Sequence, residues 1–167
     1  AGRLAVQTRD AAGRTVAVIA GSLHLRDHSE RLEGFCAGQA AEFPALDIIG
    51  PLEGHDERSQ TQAVVADLLV RHPDLAGVYN LGAGNAGLVD ALEASSRAGR
   101  IRVIAHELTE PTRQGLLSGA IDVVLDQNPD GEIREALAAA RTLALGGNGQ
   151  DMPGPIEIGI FLRDNLR

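Results

Sequence analysis

The residues of this chain that could do chemistry gather at the ends of short apolar runs. Behind "TVAVIAG" (15–21) come Ser22 and His24, with Arg31 on the helical pattern that follows. Behind "ALDIIG" (45–50) come Pro51, Glu53, His55 and Asp56. "AGVYN" (76–80) ends in Asn80 and runs into Gly82-Ala83-Gly84-Asn85-Ala86-Gly87. "RIRVIAH" (100–106) is followed by Glu107, and "IDVVLDQ" (121–127) carries Asp126 and Gln127, with Asn128 next. Two chemistries are open to such a set. A G-x-G-x-x-G loop between a strand and a helix, with Glu107 standing 20 residues past Gly87, has the form of a dinucleotide site in which Gly82, Gly84 and Gly87 admit a pyrophosphate. Alternatively, a rim of Arg, Asn, Glu and Gln suits a polyhydroxylated ligand. Each hydroxyl both donates and accepts, so carboxylates and amide oxygens can accept while guanidinium and amide NH2 groups donate.

Three features weigh against the dinucleotide. Its loop normally opens the first βα unit of a domain, and here two such units precede it. Asn80 interrupts the apolar approach. The other polar groups sit on four further strand ends, which fits one enclosed small molecule, and Glu107 and Asp126 would repel a pyrophosphate. The glycines then serve a tight turn and the close approach of a helix N-terminus. Each candidate also has a plainer use. Arg31 could pair with Glu30 or Glu33, Asn80 could cap the next turn, Glu107 could be a solvated loop acid, and Gln127 could serve the backbone. His24, His28, His55 and His106 lack metal-ligand spacing, so no metal site is expected. Ser22 lies outside a G-x-S-x-G elbow and no acid pair compels acid–base chemistry, so neither an enzyme nor a cofactor is expected.

The elements that must position these residues are legible in the periodicity. Helical spacing runs over 27–43, 57–72 and 84–97, then from Thr109 to Gly119, and again from Asn128 as cap and Pro129 through to Gly146-Gly147. Asp27 with Glu30 resembles a capping box. Cys36 falls among apolar residues at helical spacing and is expected to be buried and inert. "PIEIGIFL" (155–162) is a last extended run, beyond the linker-like "GGNGQDMPGP". Strands alternating with helices over short connections imply an α/β fold, a doubly wound and mostly parallel sheet with helices on both faces. The core must be aliphatic, because aromatic residues make up only 2% of the chain. A net charge of −8 argues against a basic face for nucleic acid or anionic lipid. No apolar run reaches the length of a membrane span. Leu4, Ala5 and Val6 read as a helix already in progress, so the chain is expected to be a fragment whose N-terminal portion is missing.

Four segments, "VAVIAGSLHLRDHSERLEGF", "LLVRHPDLAGVYNLGAGNAGLVDAL", "RVIAHELTEPTRQGLLSGAIDVVLDQNP" and "IEIGIFLRDNL", span nearly the whole chain in order. Through them the chain resembles the effector-binding part of lac-repressor-type bacterial transcriptional regulators. These share their fold with ribose-binding periplasmic proteins (periplasmic binding protein type 1). The resemblance implies two α/β lobes with a sugar-like effector between them. Residues 1–126 would be the C-terminal lobe. Residues 127–167 would return toward the N-terminal lobe through a helix at 129–146 and a strand at 155–162. That lobe and a DNA-binding headpiece would lie upstream. The ligand positions it implies are Arg31, Asn80 with Asn85 as a competitor, Glu107 in place of the usual aspartate, and Gln127. Where an aromatic residue often covers the sugar face, His55 or Asp56 stands instead. The implied function is ligand-driven lobe closure in a cytoplasmic homodimer that meets DNA only through its headpiece and does not touch a membrane. The alternative is a periplasmic sugar-binding protein of a transporter. A third, in a different class, is an NAD-dependent enzyme using Gly82, Gly84 and Gly87. The helix after Asn128 carries apolar residues at 133, 136, 137, 140, 143 and 144, a stripe expected to lack its cover.

Overall fold

A computed structural model describes residues 14–148 and 156–166. The helix expected at residues 4–6 and most of the linker lie outside them. Within them the chain alternates as the periodicity requires: β1 (Thr15–Ala20), α1 (Arg26–Glu42), β2 (Asp47–Glu53), α2 (Arg58–Arg71), β3 (Leu75–Asn80), α3 (Asn85–Ala94), β4 (Arg102–His106), α4 (Glu110–Ser118), β5 (Val123–Asp126), α5 (Pro129–Ala144) and β6 (Gly159–Phe161). They form one six-stranded sheet in the order β2-β1-β3-β4-β5-β6.

β1 to β5 are parallel, and β1 is buried along its whole length. A strand covered on both faces reads as an unbroken apolar run, which is what Val16 to Ala20 provide. One face of the sheet packs against α2, α3 and α4 through Val65, Leu68, Leu88, Leu92 and Leu116. The other packs against α1 through Phe35, with Tyr79, Ile104 and Val123 beneath it. Full burial of such side chains stabilises by about 1.5–3 kcal/mol each. Strand order reverses between β1 and β3, so the connections leaving these neighbours diverge and open a crevice at the carboxyl edge.

The helix signals hold in part. Thr109 and Thr112 form a capping box with Pro111 in the first turn of α4, which Gly119 closes in the left-handed region. Asn128 caps α5 by accepting the Gly131 N–H at 3.1 Å. The cap expected from Asp27 and Glu30 does not form. α1 starts at Arg26, Leu25 occupies the N-cap without a side-chain bond, and Asp27 is drawn instead toward Arg31. Cys36 is exposed, contrary to expectation. The inward stripe of α1 runs through His28, Arg31, Leu32 and Phe35, so the expected apolar face at Leu32 and Phe35 continues one turn earlier through two polar residues, and Cys36 falls off it.

Both ends of the sheet depart from the expected spans. β2 continues through Pro51 to Glu53, tolerable because it is an edge strand whose outer N–H groups need no partner. The short β6 runs antiparallel to β5 and departs from the otherwise parallel pattern. The apolar stripe of α5 is exposed: Ile133 at 62%, Leu137 at 67% and Leu143 at 56%.

Candidate ligand-binding site

Every strand of the parallel set delivers its polar residues to one edge, and there the tertiary structure joins three that the chain keeps far apart. Arg31 reaches inward from α1 with only 14% of its side chain exposed. Its Nη1 donates to the Leu81 carbonyl, just past β3. Its Nη2 lies 3.5 Å from Asp27 Oδ2, one helical turn back, and 3.5 Å from Glu107 Oε1, past the end of β4. The same Oε1 accepts from Gln127 Nε2 at 2.7 Å, past the end of β5. Arg31, Glu107 and Gln127 thus form one network. Glu107 is held in the left-handed region at φ 65°, where its N–H donates to the Leu125 carbonyl at 2.9 Å and its carbonyl accepts the Thr112 hydroxyl at 2.8 Å. A non-glycine residue in that region is uncommon and persists only where its surroundings fix it.

Asn80 and Asn85 meet each other beneath the glycine loop. Asn80 is completely buried; its amide donates to Asn85 Oδ1 at 2.7 Å and to the Ala83 carbonyl at 3.0 Å, and its oxygen accepts the Gly82 N–H at 3.3 Å. Asn85 passes the chain on to the His106 carbonyl at 3.2 Å. The pair organises the loop from within. Asp56 and His55 stand at the rim, both exposed and both with positive φ. Asp56 Oδ1 accepts the Ala83 N–H at 2.7 Å.

The glycines of the loop are taken up by the protein's own packing. A Cβ on Gly82 would lie 2.6 Å from Asp56 Oδ1 and 2.8 Å from the His28 ring. Gly84 is left-handed at φ 77° and serves as the N-cap of α3 over Thr61. Gly87 lies against the backbone of α2 at Arg58 and Gln62, so its missing side chain lets two helices touch. Where a dinucleotide would set its pyrophosphate, the loop amide of Ala83 already holds a carboxylate. The cofactor reading of Gly82, Gly84 and Gly87 therefore loses its binding geometry.

Under Arg31 lies a pair that the sequence did not mark. Tyr79 Oη and His106 Nε2 are 2.8 Å apart, and the Tyr79 ring leans on Phe35 with centroids at 5.1 Å. Burial pushes the Tyr79 hydroxyl up to about 12. Burial first, then the charges of Arg31 and His28, push His106 down to about 3, so it is neutral at pH 7. Its Nδ1 is buried and has no hydrogen-bond partner among the described residues. Asp27 was also missed as a partner of Arg31, although its i, i+4 spacing was visible. Among the described residues, no group of three His, Cys, Asp or Glu side chains could hold a metal ion. Arg31 faces the acids Asp27 and Glu107, with Asp56 and Asp126 on the same edge, a balance better matched to neutral hydroxyls than to phosphate.

Comparison with known proteins agrees with this architecture. The chain belongs to the periplasmic binding protein domain family, which matches residues 1–148. It is 28% identical over 119 residues to the D-ribose/D-allose-binding protein of Pseudomonas aeruginosa, an alignment covering 69% of this chain and 36% of that protein. It is 28% identical to the sugar-binding protein of a sugar ABC transporter from Bacillus halodurans, with a TM-score of 0.81 over 90% of this chain and 56% of that one. GanP, a glucose-galactose binding protein from Geobacillus stearothermophilus, shares the fold with a TM-score of 0.83 at 22% identity, over 92% of this chain and 55% of that one. The chain thus spans between about a third and a little over half the length of these relatives. All three are sugar-binding proteins. The family and fold of the regulator resemblance stand, while its narrower attribution to lac-repressor-type proteins finds no counterpart among them.

Proposed function

We propose that this chain forms most of one lobe of a sugar-binding protein of the transporter type. The observation that carries this reading is the Arg31–Glu107–Gln127 network. Donors and acceptors from α1, β4 and β5 meet beside the β1/β3 crevice, where a doubly wound sheet binds its ligands. In this reading residues 1–126 are the C-terminal lobe. Residues 127–167 lead toward an N-terminal lobe that covers the stripe of α5 and supplies the other half of the cleft. Arg31, Glu107 and Gln127 contact the sugar, Asn80 and Asn85 shape the loop beneath it, and His55 and Asp56 form the rim. The protein then works outside the cytoplasmic membrane.

A second reading is supported by the likeness of the four quoted segments to transcriptional regulators. In it the same lobe closure controls a DNA-binding headpiece in a cytoplasmic homodimer. The coding sequence ahead of Ala1 separates the two: a secretory leader belongs to the first, a basic helix-turn-helix segment to the second.

Titration of the isotopically labelled chain with D-ribose, D-allose, D-arabinose and D-galactose tests the site by NMR. At least one should shift the side-chain signals of Arg31 and Gln127, with weak, millimolar affinity because a single lobe offers half the contacts. Arg31→Ala should weaken that binding about ten-fold or more, the effect of losing a charge-assisted hydrogen bond. Silence toward every sugar, with NADH shifting the glycine loop, would overturn the reading.

A further inference from the structure

Asp56 is one of two residues, with His55, that stand where the resemblance puts a sugar-covering aromatic residue, and although it is exposed its carboxylate is turned onto the loop after β3. Four observations describe what it does there. Its Oδ1 accepts the Ala83 N–H at 2.7 Å, tying the exit of β2 to the glycine loop after β3. The carboxylate also fills a notch floored by glycine. A Cβ on Gly21, past the end of β1, would collide with both of its oxygens, and one on Gly82 would lie 2.6 Å from Oδ1. The chain reaches this position through two successive left-handed residues, His55 at φ 52° and Asp56 at φ 59°. Two adjacent non-glycine residues in that region are unfavourable, and they persist only where other contacts hold them. Finally, the backbone beside Asp56 is stitched to β1, Gly54 N–H donating to the Ala20 carbonyl at 2.8 Å and His55 N–H to the Gly21 carbonyl at 3.0 Å.

We propose that Asp56 is a latch across the β1/β3 crevice: a positioning residue that locks the three strand-end loops together and so sets the Leu81 carbonyl on which Arg31 rests. The line of contact is short. Ala83 is two residues past Leu81, Leu81 N–H donates to the Ile19 carbonyl at 2.7 Å, and the Leu81 carbonyl accepts from Arg31. A carboxylate bridging the loops fixes the acceptor, and the acceptor fixes the guanidinium that meets the ligand. Where an aromatic face would stand on this lobe, the rim therefore carries a charged crossbar. The role in ligand binding rests on the sugar-site reading above; the latch itself does not.

The test begins with the ligand-free chain. Amide hydrogen exchange at Ala83 should be slow in the native chain. It should rise about ten-fold or more in Asp56→Ala, the loss expected for one hydrogen bond to a charged acceptor. Asp56→Asn keeps the size and tolerates the left-handed backbone, so it should rise less. Gly21→Ala leaves Asp56 in place but fills its notch, and should open Ala83 as Asp56→Ala does; the double variant should add little, because both remove one contact. In the same spectra the Arg31 side-chain signal should move while those of the α2 and α3 core stay put. Unchanged exchange at Ala83 in Asp56→Ala, with Arg31 unmoved, overturns the latch. So does a higher melting temperature for Asp56→Gly with Ala83 still protected, since that is simple relief of backbone strain. Addition of the four sugars named above then tests the link to binding. If the native chain binds none of them while Ala83 opens as described, the latch stands and the sugar reading is what has failed.

Discussion

Helices α3 and α5 begin alike and end in opposite surroundings. Each follows a parallel strand with an Asn or Gln at or just past the strand's end, each starts at a left-handed N-cap, and each carries an apolar stripe. Yet Leu88 and Leu92 of α3 are fully buried, while Leu137 of α5 is 67% exposed. The stripe does not explain the difference. Gly87 does so for α3, because its bare backbone lets α2 approach at Arg58 and closes the layer over the sheet. Asn128 is left-handed too, at φ 60°, so the N-cap does not set the two helices apart; what differs is that the stripe of α5 stays exposed among the described residues. Amphipathicity supplies a face, and the path of the chain decides whether anything meets it.

The sharpest break of this contrast is Leu88→Ala. Truncating a fully buried leucine should cost about 2–5 kcal/mol, read from chemical denaturation. A smaller effect distinguishes the covered region by pH. His106 stays neutral in the folded chain down to about 3, whereas an unfolded histidine takes up its proton near 6.5. Between those values the unfolded state binds the extra proton, so stability falls as the pH falls. The loss between pH 7 and 5 should be about 2 kcal/mol, and His106→Gln should flatten that part of the profile. Leu137→Glu should have the smallest effect. On an exposed face it should change stability by less than about 0.5 kcal/mol while raising solubility. A cost equal to that of Leu88→Ala would mean that the stripe of α5 is covered after all.

Much of the fold was readable because local signals agreed with one another. Apolar runs gave the five parallel strands, and Thr109, Gly119 and Asn128 behaved as caps and stops. The reading failed where a residue's role depends on a partner distant in the chain. Cys36 was set inside because a helical wheel counts apolar positions, and the true inward face carries His28 and Arg31. Asp27 is a different case: it read as a cap through Glu30, yet it faces Arg31 one turn on, a local spacing already present in the sequence. Of the candidate site, residue types and strand ends were legible, but the convergence of Arg31, Glu107 and Gln127 was not. Neither was the burial of Asn80, nor the Tyr79–His106 pair behind them.

By itself the sequence determined which segments are strands and helices, and that a polar residue crowns nearly every strand, because periodicity and turn chemistry act over a few residues. Only the tertiary structure decided which of those residues meet, that the glycine loop receives Asp56, and that α5 faces solvent. Those outcomes depend on the strand order 2-1-3-4-5, which reverses beside β1 and brings together side chains as far apart as Arg31 and Gln127. No local propensity encodes a distance of that length.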